Sequence, residues 1–184
     1  LSQGVDPRHI QMLTFTRKSA KDLKSRVEAM FNGDTDGLSA TTFHQWAISL
    51  MHSNPSLFGW IKSTIMAADD QSALMSLIRG KSKKGELPTA KQLVKIYSFS
   101  RNTSCNTADS IDKICPEFIE KAELIRSFMI KYMDRKKAKN YVDFDDILVM
   151  VAVALEKNQL AREWVAKRFP HIMVDEFQDS NNLQ

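Results

Sequence analysis

Ile172-Met173-Val174-Asp175-Glu176-Phe177-Gln178-Asp179-Ser180-Asn181-Asn182-Leu183-Gln184 closes the chain, and its reading decides how the rest is understood. The apolar run Ile172 to Val174 predicts a short buried strand, and two adjacent carboxylates follow it with no spacer. In open α/β sheets ligands bind beyond the carboxyl ends of the strands, so acids placed there face a crevice. A Mg²⁺ carried on nucleotide phosphates takes one or two protein carboxylates and otherwise keeps its waters. The first acid of such a pair can hold that metal, and the second can orient or deprotonate an attacking water. An apolar-Asp-Glu triplet is short enough to recur by chance, so its meaning depends on the upstream sequence.

Ile10 to Thr16 predicts another buried strand, too short for a helix. Arg17 and Lys18 follow, Ser19 is the predicted N-cap, and Ala20, Leu23, Val27 and Met30 keep helical spacing among charged neighbours. A helix start offers unpaired N–H groups to a phosphate. The hydroxyls of Thr14 and Thr16 and the cations Arg17 and Lys18 can add to them, and an exposed Phe15 can stack on a base. Ala40 to His44 repeats the arrangement: a short strand ends in Thr42, Phe43 and His44 and runs into a helix with Trp46, Ala47, Leu50 and Met51 on one side. Read alone, Phe15 is a core aromatic and His44 a satisfied structural histidine.

In this order the stretches resemble the UvrD/Rep family of superfamily 1 DNA helicases. Asp175 to Gln184 is similar to motif II, the Walker B element. Leu13 to Ala20 resembles motif Ia, with Arg17 and Ser19 where the family usually has Asn and Ala. Thr42-Phe43-His44 resembles motif Ib, with Gln45 where Gly is common. Tyr141 to Leu148 resembles the Val-Asp-Phe segment at which the chain returns to the motor core. The resemblance implies that Asp175 is the Mg²⁺ ligand, Glu176 the catalytic base for ATP hydrolysis, and Gln178 a residue coupled to the ATP state. It also implies that Thr14, Phe15, Thr16, Arg17 and Lys18, with Thr42, Phe43 and His44, grip single-stranded DNA. The implied fold is α/β: part of a parallel-sheet, P-loop NTPase (RecA-like) motor core, interrupted by a mostly α-helical inserted subdomain. The expected divisions are 1–67 and 142–184 for the motor core and 68–141 for the insertion.

A short strand is predicted near Thr64 to Met66, just before the expected insertion, and Asp69-Asp70-Gln71 opens the insertion's first helix, with Leu74, Met75, Leu77 and Ile78 apolar. From Arg79 to Arg101 seven cations face one acid, Glu86. Lys81, Lys83 and Lys84 lie in a glycine-flanked loop and are candidates for DNA-backbone contact, although an isolated charge run is ordinarily a solvated face. Pro88 is placed in the first turn of a helix carrying Leu93, Val94, Ile96 and Tyr97. Asn102 to Asp109 reads as a polar loop. Pro116 is expected to start a long helix with the stripe Phe118, Ile119, Ala122, Ile125, Phe128, Met129 and Tyr132 or Met133. That helix ends in Arg135-Lys136-Lys137-Ala138-Lys139, where cations offset the helix dipole. Asp143 is the predicted N-cap of the next helix, with Phe144, Ile147, Leu148, Val151 and Leu155 on its buried face. A last helix from about Gln159 is stopped by Pro170.

At 184 residues and 43% hydrophobic content the chain can bury a core. A net charge of +4 permits a polyanionic partner without requiring one. Cys105 and Cys115 have no partners at metal-site spacing and are expected as free thiols of a reducing cytoplasm. No apolar run is long enough to span a bilayer, and no signal-peptide pattern opens the chain. Leu1 in place of Met, and a motif at the other end, make both ends read as cuts through a larger protein. The complete protein is therefore expected to be an ATP-dependent, 3′ to 5′ helicase acting on single-stranded and junction DNA in repair or replication. There is no Gly-x-x-x-x-Gly-Lys-Ser/Thr loop, so the 184 residues alone are expected to be inactive. The alternatives are a nucleic-acid-binding module with a helicase fold but no ATPase, and a helicase–nuclease of the RecB kind.

Overall fold

The computed structural model describes every residue except Gln3, Ile61 and Lys84. The candidate contact Lys84 thus lies outside the described residues. The chain divides into two compact units: Leu1–Trp60 with Met150–Ser180 and Gln184, and Ile61–Val149 with Asn181–Leu183. It is mixed α/β, mostly helical, with two small parallel sheets. Among the described residues no helix is long and apolar enough to cross a membrane.

The first unit is built on a parallel sheet of β1 (Ile10–Thr14), β2 (Ser39–Thr42) and β5 (His171–Val174), in the order β2-β1-β5. All five residues of β1 are buried, as befits the middle strand of a parallel sheet, which is covered on both faces. Ile10 and Met12 pack with Leu38, Leu23 and Val27. β1 leads into α1 (Arg17–Met30). Its N-cap is Thr16, not Ser19: Thr16 has extended backbone angles and its Oγ1 accepts from the Ser19 N–H at 3.0 Å. A β-branched residue favours the extended backbone a cap requires, which leaves Ser19 inside the first turn. Met30, placed on the apolar stripe, is exposed.

β2 runs directly into α2 (Phe43–Ser53), where Ala47, Leu50 and Met51 are buried as the spacing required. α3 (Pro55–Phe58) follows and ends on Gly59. α9 (Gln159–Arg168), capped by Asn158, leads to β5. β5 departs from expectation: Ile172 is 43% and Met173 55% exposed. A short apolar run fixes a strand but not its depth. β5 lies at the sheet edge, with β1 its only strand neighbour among the described residues.

The second unit is helical around one small parallel pair, β3 (Thr64–Ile65) and β4 (Tyr141–Val142). Its helices are α4 (Ala68–Arg79), α5 (Ala90–Thr103), α6 (Thr107–Ile114), α7 (Ala122–Ala138) and the start of α8 (Phe144–Lys157). Met75, Leu93, Ile96, Ile111, Phe118 and Ile125 lie in one core cluster. Several boundaries differ from the sequence reading. α5 starts at Ala90 with a capping box between Thr89 and Gln92, leaving Pro88 outside. The expected polar loop of Asn102 to Asp109 overlaps the end of α5 and the start of α6, whose eight residues bury Ser110 and Ile111 and are too few to show a stripe. Pro116–Lys121 is a 3₁₀ turn kinked at Phe118, so the long helix begins only at Ala122. Leu77, Ile119, Met133 and Phe144 are exposed, unlike their stripe neighbours.

Asp143 caps α8 as predicted, its Oδ1 accepting from the Asp146 N–H at 2.9 Å while Asp146 Oδ2 accepts from the Asp143 N–H at 3.1 Å. Lys136 is not a solvated cation on the helix dipole. Its side chain is 3% exposed and donates to Asp143, to Asp146 at 2.6 Å and to the Tyr97 hydroxyl at 3.0 Å. Its ammonium also lies 4.8 and 4.7 Å from the ring centroids of Tyr97 and Tyr132. Burial pulls the Lys136 pKa down, but Asp143, Tyr97 and Asp146 outweigh it, and the net direction is up. Burial pushes the Tyr97 hydroxyl up to about 12 and the Tyr132 hydroxyl higher still, Asp143 adding to the rise. Asp145 is bonded as well, by the Ser98 hydroxyl and by Asn102 Nδ2 at 2.7 Å.

Removing the ammonium strands a fully buried Asp143 carboxylate. Lys136→Met is expected to cost about 3–5 kcal/mol, read as a drop in denaturation midpoint. All three shifted groups have folded pKa values above their unfolded ones, so their stabilisation is present below pH of about 10 and lost as pH rises beyond it. The wild type should lose stability steeply in that alkaline range and Lys136→Met less steeply, the Tyr97 and Tyr132 contributions remaining; equal slopes would remove Lys136 from the linkage.

Candidate nucleotide and nucleic-acid site

The three stretches singled out in the sequence leave the same edge of the same sheet. β1 pairs in parallel with β2 through Leu13–Thr41 and Thr14–Thr42, and with β5 through Leu13–Val174. The ladder continues one residue further on β5, where the Asp175 N–H donates to the Leu13 carbonyl at 2.9 Å. Thr42, Thr14 and Asp175 therefore form a row across the carboxyl ends of three adjacent strands. At one inter-strand spacing per step the row spans roughly 10 Å. Such an edge is where open α/β sheets place their ligands.

Backbone geometry changes sharply after Asp175. Glu176 adopts the left-handed conformation (φ 52°, ψ 44°), and a 3₁₀ turn over Phe177–Asp179 follows. A non-glycine residue held there costs on the order of 1–3 kcal/mol, and such strain collects at functional sites. The Asp179 N–H returns to the Glu176 carbonyl at 2.9 Å, closing the turn. Gln178 Nε2 donates to the Glu176 carboxylate, a hydrogen bond that fixes the direction of that carboxylate. Asp175 is half-buried, whereas Glu176, Phe177 and Gln178 are exposed.

The residues after β1 and β2 separate into two layers. Thr14 is 1% and Phe43 7% exposed, both within the first unit's interior. Phe15 is half-buried, its ring 5.6 Å from that of Phe43 and tilted by 49°. Thr16, Arg17 and Lys18 face solvent at the first turn of α1, and His44 is half-buried in the first turn of α2. Thr42 caps α2 as Thr16 caps α1, its Oγ1 accepting from the Gln45 N–H at 3.3 Å. Two helix starts, each with a threonine cap, thus open at the edge that carries the acids, and free N–H groups at such starts attract anions. The capping role of the two threonines was not read from the sequence, although a Thr three residues before an N–H of the first turn is its ordinary signal.

Among the described residues no group of three or more His, Cys, Asp or Glu side chains could hold a metal alone. A Mg²⁺ arriving on nucleotide phosphates asks for one or two carboxylates, which Asp175, with Glu176 beside it, would supply.

In the second unit, Lys81 and Lys83 are exposed. Their loop is tied down at both ends. Arg79 Nε donates to the Pro88 carbonyl at 2.6 Å and Arg79 Nη2 to the Leu87 carbonyl at 3.3 Å, while Glu86 accepts from the Lys83 N–H at 3.0 Å. Arg79 and Glu86 are thereby structural members of what the sequence showed only as a charge run.

A family model described as the UvrD/REP helicase N-terminal domain matches residues 1–184. The ATP-dependent DNA helicase UvrD1 of Mycobacterium tuberculosis is 24% identical over 186 residues, covering 100% of this chain and 24% of that protein. The ATP-dependent DNA helicase Rep of Buchnera aphidicola is 29% identical over 182 residues, covering 97% and 26%. Rep of Escherichia coli is 26% identical over 184 residues, covering 98% and 27%. The chain spans about a quarter of the length of these relatives. With its whole length matched, the chain belongs to the UvrD/REP helicase N-terminal domain family.

Proposed function

We propose that the chain is the segment of an ATP-dependent DNA helicase's RecA-like motor core that runs from the first strand-gripping motif to the Walker B acids. The observation carrying this reading is the row Thr42–Thr14–Asp175, which sets two anion-attracting helix starts beside a carboxylate pair. Asp175 would hold the Mg²⁺ that accompanies ATP, an ion that neutralises phosphate charge. Glu176 takes the proton of the attacking water, and Gln178 holds the Glu176 carboxylate in position for it. Thr16, Arg17 and Lys18 bind strand phosphates, and Phe15 presents a ring edge or face to a base. Thr14 and Phe43 act from beneath, Thr14 by fixing the turn and Phe43 by bracing Phe15, while Thr42 sets the helix on which His44 lies. ATP turnover belongs to the complete protein, since no phosphate-binding loop lies within these residues. By the same reading it translocates 3′ to 5′ on single-stranded DNA, in repair or replication, and the second unit is the inserted helical subdomain.

In the full-length protein Glu176→Gln is expected to abolish DNA-stimulated ATP turnover while leaving ATP affinity nearly unchanged, because the shape survives and the base does not. Near-normal turnover would assign water activation to another residue. Phe15→Ala should weaken single-strand binding by about 1–3 kcal/mol. Fluorescence anisotropy measures that loss, and thermal melting separates it from the packing lost against Phe43. Unchanged affinity in a destabilised variant would return Phe15 to the core. For the second unit, Lys81→Ala with Lys83→Ala should make the log–log salt dependence of DNA binding shallower by about one to two units. The loss should be alike for unrelated sequences, and an unchanged slope on single-stranded and junction DNA would make these lysines surface solubilisers.

A further inference from the structure

The first unit carries a second concavity along one face of its sheet, running from where the strands begin to Thr41 and Gln45. It is a cleft of about 960 Å³, within the size class of small-ligand sites. Gln11, Ser39 and Thr41 line it from the sheet, Gln45, Trp46 and Ser49 from α2, and Trp164, Lys167, Arg168 and Phe169 from the end of α9. Gln11 is buried and fixed, its Nε2 donating to Thr41 Oγ1 at 3.0 Å and to the Met12 carbonyl at 2.9 Å.

The polar character of this cleft is one-sided. Among the described residues its only acidic lining residue is Asp6, which Arg8 occupies through Nε at 3.1 Å and Nη2 at 2.7 Å. The Arg8 stem is seated over Gly37, which has φ +83° and whose missing Cβ leaves the room. Lys167 and Arg168 are different: among the described residues neither is in an ion pair. Arg168 is oriented instead by two rings, its guanidinium carbon 5.9 Å from the centroid of Trp164 and 5.6 Å from that of Phe169. Phe169 also meets Trp46 edge-on, at 6.0 Å and 69°. The Trp46 indole Nε1–H is buried with no acceptor. A buried donor without a partner asks for an explanation.

A peptide-docking groove would offer an apolar floor, whereas this floor is amide and hydroxyl. Its charge is cationic and uncompensated, and its walls are aromatic. We propose that the cleft binds a nucleotide-sized phosphate ester, with Lys167 and Arg168 on the phosphate and Gln45, Ser49 and Thr41 facing the hydroxylated sugar. The acids Asp175 and Glu176 are not among the residues that line the cleft, and the site does not depend on the motor reading. Planar guanidinium and ammonium donors on a phosphate make charge-assisted bonds, and the neutral hydroxyls add specificity without repelling an anion.

Trp46 and Trp164 make the cleft self-reporting. Titrating the full-length protein with AMP should change tryptophan emission saturably, and adenosine, which lacks the phosphate, should not. Trp46→Phe should remove much of that signal. Lys167→Ala with Arg168→Ala should weaken AMP binding about tenfold or more, with unchanged circular dichroism and an unchanged KM for ATP. Asp175→Ala should leave the AMP signal intact, which separates this site from the nucleotide site of the motor. Absence of saturable AMP binding overturns the proposal. So does AMP binding that ignores the double variant, or a response to a thymidine oligonucleotide alone, which would make the cleft a strand contact. Should the double variant misfold, Lys167→Glu alone decides: it must weaken AMP and leave adenosine without effect, and unchanged AMP affinity overturns the assignment.

Discussion

The main-chain ladder on the two sides of β1 is the constraint from which the candidate site follows. Parallel pairing with β2 and with β5 leaves no freedom in where those strands end. The last bond of the ladder, from the Asp175 N–H to the Leu13 carbonyl, places the first acid beside Thr14. The strand ends then turn into two kinds of device. After β1 and β2 a threonine stops the extended backbone and caps a helix; after β5 a left-handed Glu176 starts a 3₁₀ turn. Chemistry-bearing residues far apart in sequence meet because three strands end in register, not because their side chains attract one another.

Much of this was legible because the signals were local and redundant. β1, α1, β2 and α2 were readable from a short apolar run followed by a polar turn and a helical stripe, and the described spans agree to within a few residues. What failed was depth. Ile172 and Met173 have the composition of a core strand, yet they stand exposed at the sheet edge. Composition reports whether a residue tolerates burial, while its burial depends on which neighbours arrive. Met30, Leu77 and Phe144 fail in the same way, each on a helical stripe and each exposed.

The second unit shows a complementary blindness. Lys136 sits in a run of cations at the end of a helix, where a dipole argument explains every one of them equally well. Only the folded chain distinguishes it, by bringing Tyr97 of α5 and the first turn of α8 to its ammonium. Asp143 was readable as a cap because that role is written within three residues. Its second role, as counter-ion to Lys136, joins two helices and left no local mark. Arg79 is a further case, since its three carbonyl acceptors lie at Gly80, Leu87 and Pro88.

Glu176 joins the geometry to the chemistry. A chain continuing from β5 in extended conformation would keep period-two alternation and send Asp175 and Glu176 to opposite faces of the sheet. A single left-handed residue breaks that alternation and lets the following turn fold back, its Asp179 N–H reaching the Glu176 carbonyl. The same fold-back brings Gln178 within hydrogen-bonding reach of the Glu176 carboxylate. Glycine would adopt this backbone at lower cost but supplies no carboxylate. The strain at position 176 is therefore what the fold accepts in order to hold an acid at the turn itself, immediately after the acid at the strand end.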